Sequence, residues 1–196
     1  MTSDGNPDIP ILRGPVPLSH HFIRRFIREG DQVIDATCGN GNDTLLLAEL
    51  VGSGGRVWAF DIQTQAIKQT FRRLSENGLD SRVEIVHSGH ETMTSCVSGP
   101  ASLIVFNLGY LPGGLRDLIT RPETTAAALM QSLELLKPGG VLLVTLYPGH
   151  DGAGEEQLAV ENWAAGIDQR LFHSWRMGQT NVPSTAPYLI LVQKTL

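Results

Sequence analysis

Gln32-Val33-Ile34-Asp35-Ala36-Thr37-Cys38-Gly39-Asn40-Gly41-Asn42-Asp43-Thr44, running on into Leu45-Leu46-Leu47-Ala48, decides how this chain folds. An apolar run ends in an acid, passes through a Gly-x-Gly turn and opens a helix. Glycine lets the main chain approach a ligand closely and take positive φ, and a helix N-terminus offers N–H groups with no partner inside the helix. A strand, a glycine loop and a helix in that order form the nucleotide cradle of a doubly wound sheet, at the carboxyl ends of its strands.

The cradle's details narrow the ligand. A dinucleotide fingerprint requires a third Gly or Ala where Thr44 stands, and a phosphate loop requires a Lys after its last Gly. This sequence has neither. Asp35 at the strand end repels a pyrophosphate and suits an amino-acid ligand carrying ammonium and sulfonium charges. About twenty residues on, Val57-Trp58-Ala59-Phe60-Asp61 ends a second strand in another acid, placed to accept the two hydroxyls of a ribose. Asp, Gly-x-Gly, then Asp resembles the S-adenosylmethionine pattern of class I methyltransferases. The plainer reading makes Asp35 a turn cap and Gly39 and Gly41 a tight turn; the spacing to Asp61 favours binding.

The 196 residues fit one domain able to bury most of its apolar surface. A net charge of −5 gives no sign of a generally basic, nucleic-acid-coating surface and leaves room for a local basic patch. Cys38 and Cys96 offer neither a disulfide framework nor a metal-ligand spacing, so no metal is expected. No apolar stretch approaches the ~20 residues that span a bilayer, and Met1–Asp8 lacks the features of a signal peptide. The expected compartment is the cytoplasm, or a plastid if the source is a plant and a transit peptide is missing.

Residues 1–17, rich in Pro and Gly, read as irregular, and 18–196 as a single domain. Leu18–Arg28 has helical apolar spacing, with His20 and His21 opening the helix in a supporting, capping or ligand-contacting role. Arg24, Arg25 and Arg28 lie on its other face, as a solvated surface or as a phosphate contact for RNA. Strand 1 covers about 32–36, and a helix runs over 42–51 with Asn42 and Asp43 as N-terminal capping residues. Strand 2 is 56–60. The next helix, 63–77, is expected to bury Ile67, Phe71 and Leu74, with Gly78 as its stop. Strand 3, about 82–87, leads into Ser88-Gly89-His90-Glu91. There His90 either contacts an adenine or sits in a surface turn, and Glu91 caps the next short helix.

Strand 4, Ser102–Leu108, runs into Asn107-Leu108-Gly109-Tyr110-Leu111-Pro112-Gly113-Gly114. An Asn oxygen there can accept a hydrogen bond from an amine while Tyr110 packs on a planar ring. Enzymes that methylate the amino groups of adenine or cytosine use a similar Asn/Asp-Pro-Pro-aromatic turn, here matched in part; a Pro-Gly turn with a packing Tyr is the plain alternative. A helix after Pro122-Glu123 puts Ala126, Leu129, Leu133 and Leu136 on its core face and stops at Lys137-Pro138-Gly139-Gly140. Strand 5 is 141–147, and a helix carrying Leu158, Val160, Trp163 and Ala164 runs to about Gly166. Segments 171–177 and 188–192 read as an antiparallel pair. The expected fold is α/β and Rossmann-like: a mostly parallel seven-stranded sheet, helices on both faces and a C-terminal antiparallel hairpin.

Four strings taken together are more specific than any Gly-x-Gly: residues 34–44, Asn107–Gly114, Pro122-Glu123-Thr124-Thr125, and Tyr147-Pro148-Gly149-His150 with Glu155-Glu156. Over residues 18–193 the chain resembles the YtqB-like family of small bacterial and plant class I methyltransferases, long labelled "putative rRNA methylase". The resemblance implies a tRNA enzyme that methylates the amino group of 5-aminomethyl(-2-thio)uridine at the wobble position of the anticodon loop. It implies S-adenosylmethionine bound by Asp35, Thr37, Gly39, Asn40, Gly41, Asn42, Asp43 and Thr44, with Asp61, Gln63, His90 and Glu91 around the adenosine. Asn107 would serve both cofactor and chemistry. Tyr110, Pro112, His150 and Asn181 would line the substrate side, with Asn107, Tyr110 and His150 as the catalytic candidates. A homodimer is a further implication. Leu115 stands where the family often has an acid, which puts any substrate role for that acid in doubt.

The chemistry adds its own constraint. An alkyl amine is nucleophilic only when neutral, so it must lose a proton, to His150 or to water, before it reacts. Aligning nitrogen, methyl and sulfur could supply much of the rate. An rRNA or small-molecule methyltransferase would use the same pocket. A non-catalytic S-adenosylmethionine-binding module is the rival of another class, and a nicotinamide oxidoreductase is disfavoured by Thr44 and Asp35.

Overall fold

The computed structural model describes residues 11–109, 120–148 and 153–195. Helix α1 spans Pro15–Phe26, and β1 (Gln32–Asp35), α2 (Asn42–Val51), β2 (Arg56–Phe60) and α3 (Thr64–Glu76) follow. After β3 (Val83–Val86) come the short α4 (Met93–Cys96), β4 (Ala101–Leu108), α5 (Pro122–Leu135) and β5 (Leu136–Leu146). The chain ends with α6 (Ala153–Gly166), β6 (Phe172–Met177) and β7 (Tyr188–Lys194), and single 3-10 turns at Asp80–Arg82 and His90–Thr92 flank β3.

All seven strands join one sheet in the order β3-β2-β1-β4-β5-β7-β6. The first five are parallel, while β7 runs antiparallel to β5 and β6 antiparallel to β7, as the sequence predicts. The side-chain period of two splits the central strands between two cores. Leu103 and Val105 of β4 and Val141 and Leu143 of β5 join Ile23 of α1, Leu47 of α2 and Leu74 of α3 on one face. Ile104, Phe106, Leu142 and Val144 meet Leu129 of α5 and Val160 of α6 on the other. Strands covered on both faces need to be apolar throughout, which is how they read in the sequence. Strand order reverses between β1 and β4, and the crevice beyond their carboxyl ends is where such sheets bind ligands.

Several local expectations are corrected. The first helix starts at Pro15, inside the segment expected to be irregular, with His20 and His21 in its middle. Prolines fit a first turn because the N–H groups they lack would have no helical partner there. Phe71 is 56 % exposed, and the buried face of α3 is Ala66, Thr70 and Leu74. The helix is turned so that Thr70 Oγ1 donates to Gly39 O at 3.0 Å beneath the glycine loop. Ala126 is exposed, and Thr125, Ala128, Leu129 and Ser132 form the inward face of α5. Two of these are polar because Thr125 donates to the buried Glu156 and Ser132 to the main chain of its own helix. In α6, Val160 and Ala164 are buried while Leu158 faces out. Strand β5 begins at Leu136, five residues before the expected start, with a shift of register against β4 between Ala101 and Leu103. Among the described residues no helix is long and apolar enough to cross a membrane.

Candidate active site

The loop between β1 and α2 is held by its own main chain and by two acids. Cys38 N donates to Phe60 O of β2 and Gly41 N to Cys38 O, both at 2.8 Å. Gly39 and Gly41 take φ of +50° and +76°. At Gly41 a Cβ would lie 2.9 Å from Thr70 Oγ1 and 3.0 Å from its Cα, so the missing side chain is required by the fit onto α3. Gly39 N donates to Asp61 Oδ2 and Gln63 N to Asp61 Oδ1, each at 2.9 Å. Two N–H donors thus fix the Asp61 carboxylate at the end of β2, with lone pairs left over to face the cavity.

Asp35 is fully buried. Thr44 Oγ1 donates to its Oδ2 at 2.6 Å and Thr37 N to its Oδ1 at 3.2 Å. Burial, then the charge of Asp43 and more weakly that of Asp61, push its carboxyl up to about 7, against the opposing pull of its two hydrogen bonds. Asp35, Gly41 and Thr44 therefore stand behind the wall of the site, while Thr37, Gly39, Asn40, Asn42 and Asp43 line it. Asn42 and Asp43 do not cap α2, whose N-cap is Gly41. Their side chains turn to tertiary partners instead: Asn42 accepts from Arg73, and Asp43 joins α1 to β4.

That join is the most organised feature of the site. His20 Nε2 of α1 lies 2.7 Å from Asp43 Oδ1, and Asn107 Nδ2 of β4 donates to Asp43 Oδ2 at 2.7 Å. Asn107 N donates to Thr37 Oγ1 at 2.7 Å. A carboxylate accepts only, so this contact fixes the Asn107 amide with its NH2 toward Asp43 and leaves its oxygen with no partner among the described residues.

The cavity these residues enclose has a volume of about 770 Å³, within the range of small-ligand sites. Asp61, Gln63, His90 and Glu91 line one part of it, and His20, Asn107 and Tyr147 another. His90 is buried against Phe106, ring centroids 5.5 Å apart, and burial pulls its imidazole below the ordinary range, keeping it neutral. Its Nε2 has no hydrogen-bond partner among the described residues. Glu91 does not cap the 3-10 turn at His90–Thr92; Thr92 Oγ1 bonds Gly89 O there at 2.8 Å. Burial and the charge of Asp43 raise the Tyr147 phenol.

Tyr110, Pro112 and His150 lie outside the described residues. Asn181 is exposed in the connection between β6 and β7 and does not line the cavity. Sequence reasoning missed Ile62, Thr120 and Arg121 as lining residues. Ile62, 53 % exposed and next to Asp61, carried a signal, being a large apolar residue beyond a strand end. Among the described residues no His, Cys, Asp and Glu side chains cluster as a metal site.

The groups present fit a cationic nucleoside amino acid. Asp61 offers a carboxylate for ribose hydroxyls, and Asp43 with Asp61 supplies negative charge for a sulfonium and an ammonium. The first turn of α2, with no side-chain cap, offers N–H groups for a carboxylate.

Residues 57–193 match the model of the family described as "Putative rRNA methylase". A Clostridium thermocellum protein with that same rRNA-methylase description superposes with a TM-score of 0.91 at 42 % identity, over 94 % of this chain and 99 % of that one. A Streptococcus mutans methyltransferase solved with S-adenosylhomocysteine gives 0.85 at 35 % identity, over 94 % and 99 %. The chloroplastic tRNA (mnm5s2U34)-methyltransferase of Arabidopsis thaliana is 38 % identical over 188 residues, 90 % of this chain and 68 % of that protein. The chain thus belongs to the rRNA-methylase family of class I methyltransferases, enzymes dependent on S-adenosylmethionine.

Proposed function

We propose that this protein methylates the amino group of 5-aminomethyluridine or its 2-thio form at the wobble position of tRNA. The observation that carries the reading is the 38 % identity, over nine-tenths of the chain, to a plant enzyme described by its action on that nucleotide. The Asn107 amide supports it: Asn107 lines the cavity, and its oxygen, without a partner among the described residues, suits the N–H of an amine. S-adenosylmethionine, when bound, supplies an electrophilic methyl group on a sulfonium. Asp61 would hold its ribose and the cleft beside His90 its base, while Asn107 orients the amine. The anticodon loop is single-stranded, so its wobble base can be splayed into a pocket. The compartment follows the same reading: the cytoplasm, or a plastid in a plant.

Labelled S-adenosylmethionine, the purified protein and tRNA carrying 5-aminomethyluridine, beside fully modified tRNA and rRNA, test this directly. Label recovered as 5-methylaminomethyluridine from the first sample alone is the expected result. Label in rRNA would replace the substrate.

Asp61→Ala tests the cofactor side. A hydrogen bond to a charged group contributes about 1.5–3 kcal/mol, so the dissociation constant of S-adenosylhomocysteine should rise roughly 10- to 100-fold by calorimetry. An unchanged constant removes Asp61 from the site.

A further inference from the structure

An alkyl ammonium has no lone pair to offer a methyl group, so it must first give up a proton. Asn107 orients and cannot take one. His150, which the sequence suggests, lies outside the described residues. His20, on α1, stands in the cavity wall.

His20 Nε2 is 2.7 Å from Asp43 Oδ1, and Asp43 Oδ2 receives Asn107 Nδ2 at the same distance. Since the carboxylate only accepts, the Nε2 of His20 carries the hydrogen, which leaves Nδ1 as the ring's acceptor. Asp43 is 12 % exposed, placing its charge where it stabilises an imidazolium, and His20 is 31 % exposed, leaving a proton held there a route to water. A base oriented by a carboxylate is a recurring way to activate a nucleophile. The same carboxylate also fixes the amide that orients the amine. Among the described residues, the titratable or charged groups near this pair are Asp35 and Tyr147, both close to Asp43, with His21 and Arg24 on the helix of His20. The strands α1 packs on, β4, β5 and β7, face it with Leu103, Val105, Val141, Leu143, Leu189 and Leu191.

We propose that His20 is the proton acceptor of the methyl transfer, oriented by Asp43; this rests on the reading that the nucleophile is an alkyl amine. The step balances. The –NH3+ of the substrate gives one proton to His20 Nδ1 and keeps the electron pair. Nitrogen bonds the methyl carbon as the carbon–sulfur bond breaks, whose pair stays on sulfur as a neutral thioether. The product leaves as a secondary ammonium, and His20 returns its proton to water.

Two variants test it, with turnover on tRNA carrying 5-aminomethyluridine followed from about pH 6 to 9. His20→Gln retains an N–H for Asp43, so S-adenosylhomocysteine affinity and melting temperature should hold. Its turnover falls on the order of 10²-fold at neutral pH and keeps climbing with pH where the wild type has levelled off. His20→Ala regains rate in proportion to added imidazole. A wild-type pH profile in both variants with no rescue by imidazole, whatever their turnover, overturns His20 as acceptor. A wild type that transfers no label to this tRNA overturns the amine reading, and the acceptor with it.

Discussion

Asn107→Ala keeps the affinity for S-adenosylhomocysteine within about threefold of wild type and lowers turnover on aminomethyl-tRNA by roughly 10²–10³-fold, the range seen when one preorganised polar contact at a reacting centre is removed. The main-chain N–H of residue 107 still donates to Thr37 Oγ1, so the end of β4 stays in place. What disappears is the amide locked on Asp43, and with it the oxygen we propose aligns the amine. Small misplacement is costly because in-line displacement depends on the approach of nitrogen to methyl. Asn107→Asp is the stricter variant: it keeps an oxygen in position but sets a second carboxylate against Asp43, whose Oδ2 then lacks its donor. Calorimetry with S-adenosylhomocysteine and single-turnover transfer separate the two effects. Affinity and turnover falling together would make Asn107 a cofactor-holding residue. An unchanged rate would take it out of the chemistry.

What the sequence disclosed about this site follows the range of the interactions that build it. The glycine turn and Asp61 beside it are legible because the loop is made by local chain geometry and by the ends of two adjacent parallel strands, whereas Asp35, read as a ligand contact, is buried behind the wall. The mostly parallel sheet is legible from continuous apolar runs that only a doubly covered sheet can bury. Asn42 and Asp43 mislead for the opposite reason. As isolated residues at a helix start they are good caps, yet Arg73, His20 and Asn107, all distant in sequence, compete for their side chains and win. Phe71 misleads similarly. Periodicity favours burying the largest apolar residue, but the loop needs Thr70 beneath it, and that rotation leaves Phe71 in water. His20 is one of six histidines, and nothing within α1 marks it out. Only the fold brings α1 against the N-terminus of α2, where Asp43 gives that histidine a partner.

The buried carboxyl of Asp35 makes stability depend on pH with a sign opposite to that of a salt-bridged acid. Its folded value of about 7 lies above the ~3.9 of an unfolded Asp, so between those values the folded chain holds the extra proton. The stabilisation is complete below about pH 4 and is lost as pH rises through about 7, at up to about 1.4 kcal/mol per pH unit, on the order of 4 kcal/mol in all. Asp35→Asn removes the titration and keeps the shape. Its oxygen can accept from Thr37 N, and its NH2 can donate to Thr44 Oγ1, which accepts as well as donates. Urea or thermal unfolding of both proteins should therefore show the variant gaining on the wild type by roughly 3 kcal/mol from pH 5 to 8, or about 6–12 °C in melting temperature. Parallel curves would mean that Asp35 is ionised throughout. Ligand binding gives the independent check, because a sulfonium in the proposed place beside Asp43 and Asp61 would lower the cost of ionising Asp35 behind them. The wild type should then bind S-adenosylmethionine more tightly as pH rises through about 7, while Asp35→Asn loses that slope. The neutral thioether S-adenosylhomocysteine should show a shallower slope with the wild type, which assigns the effect to the charge on sulfur.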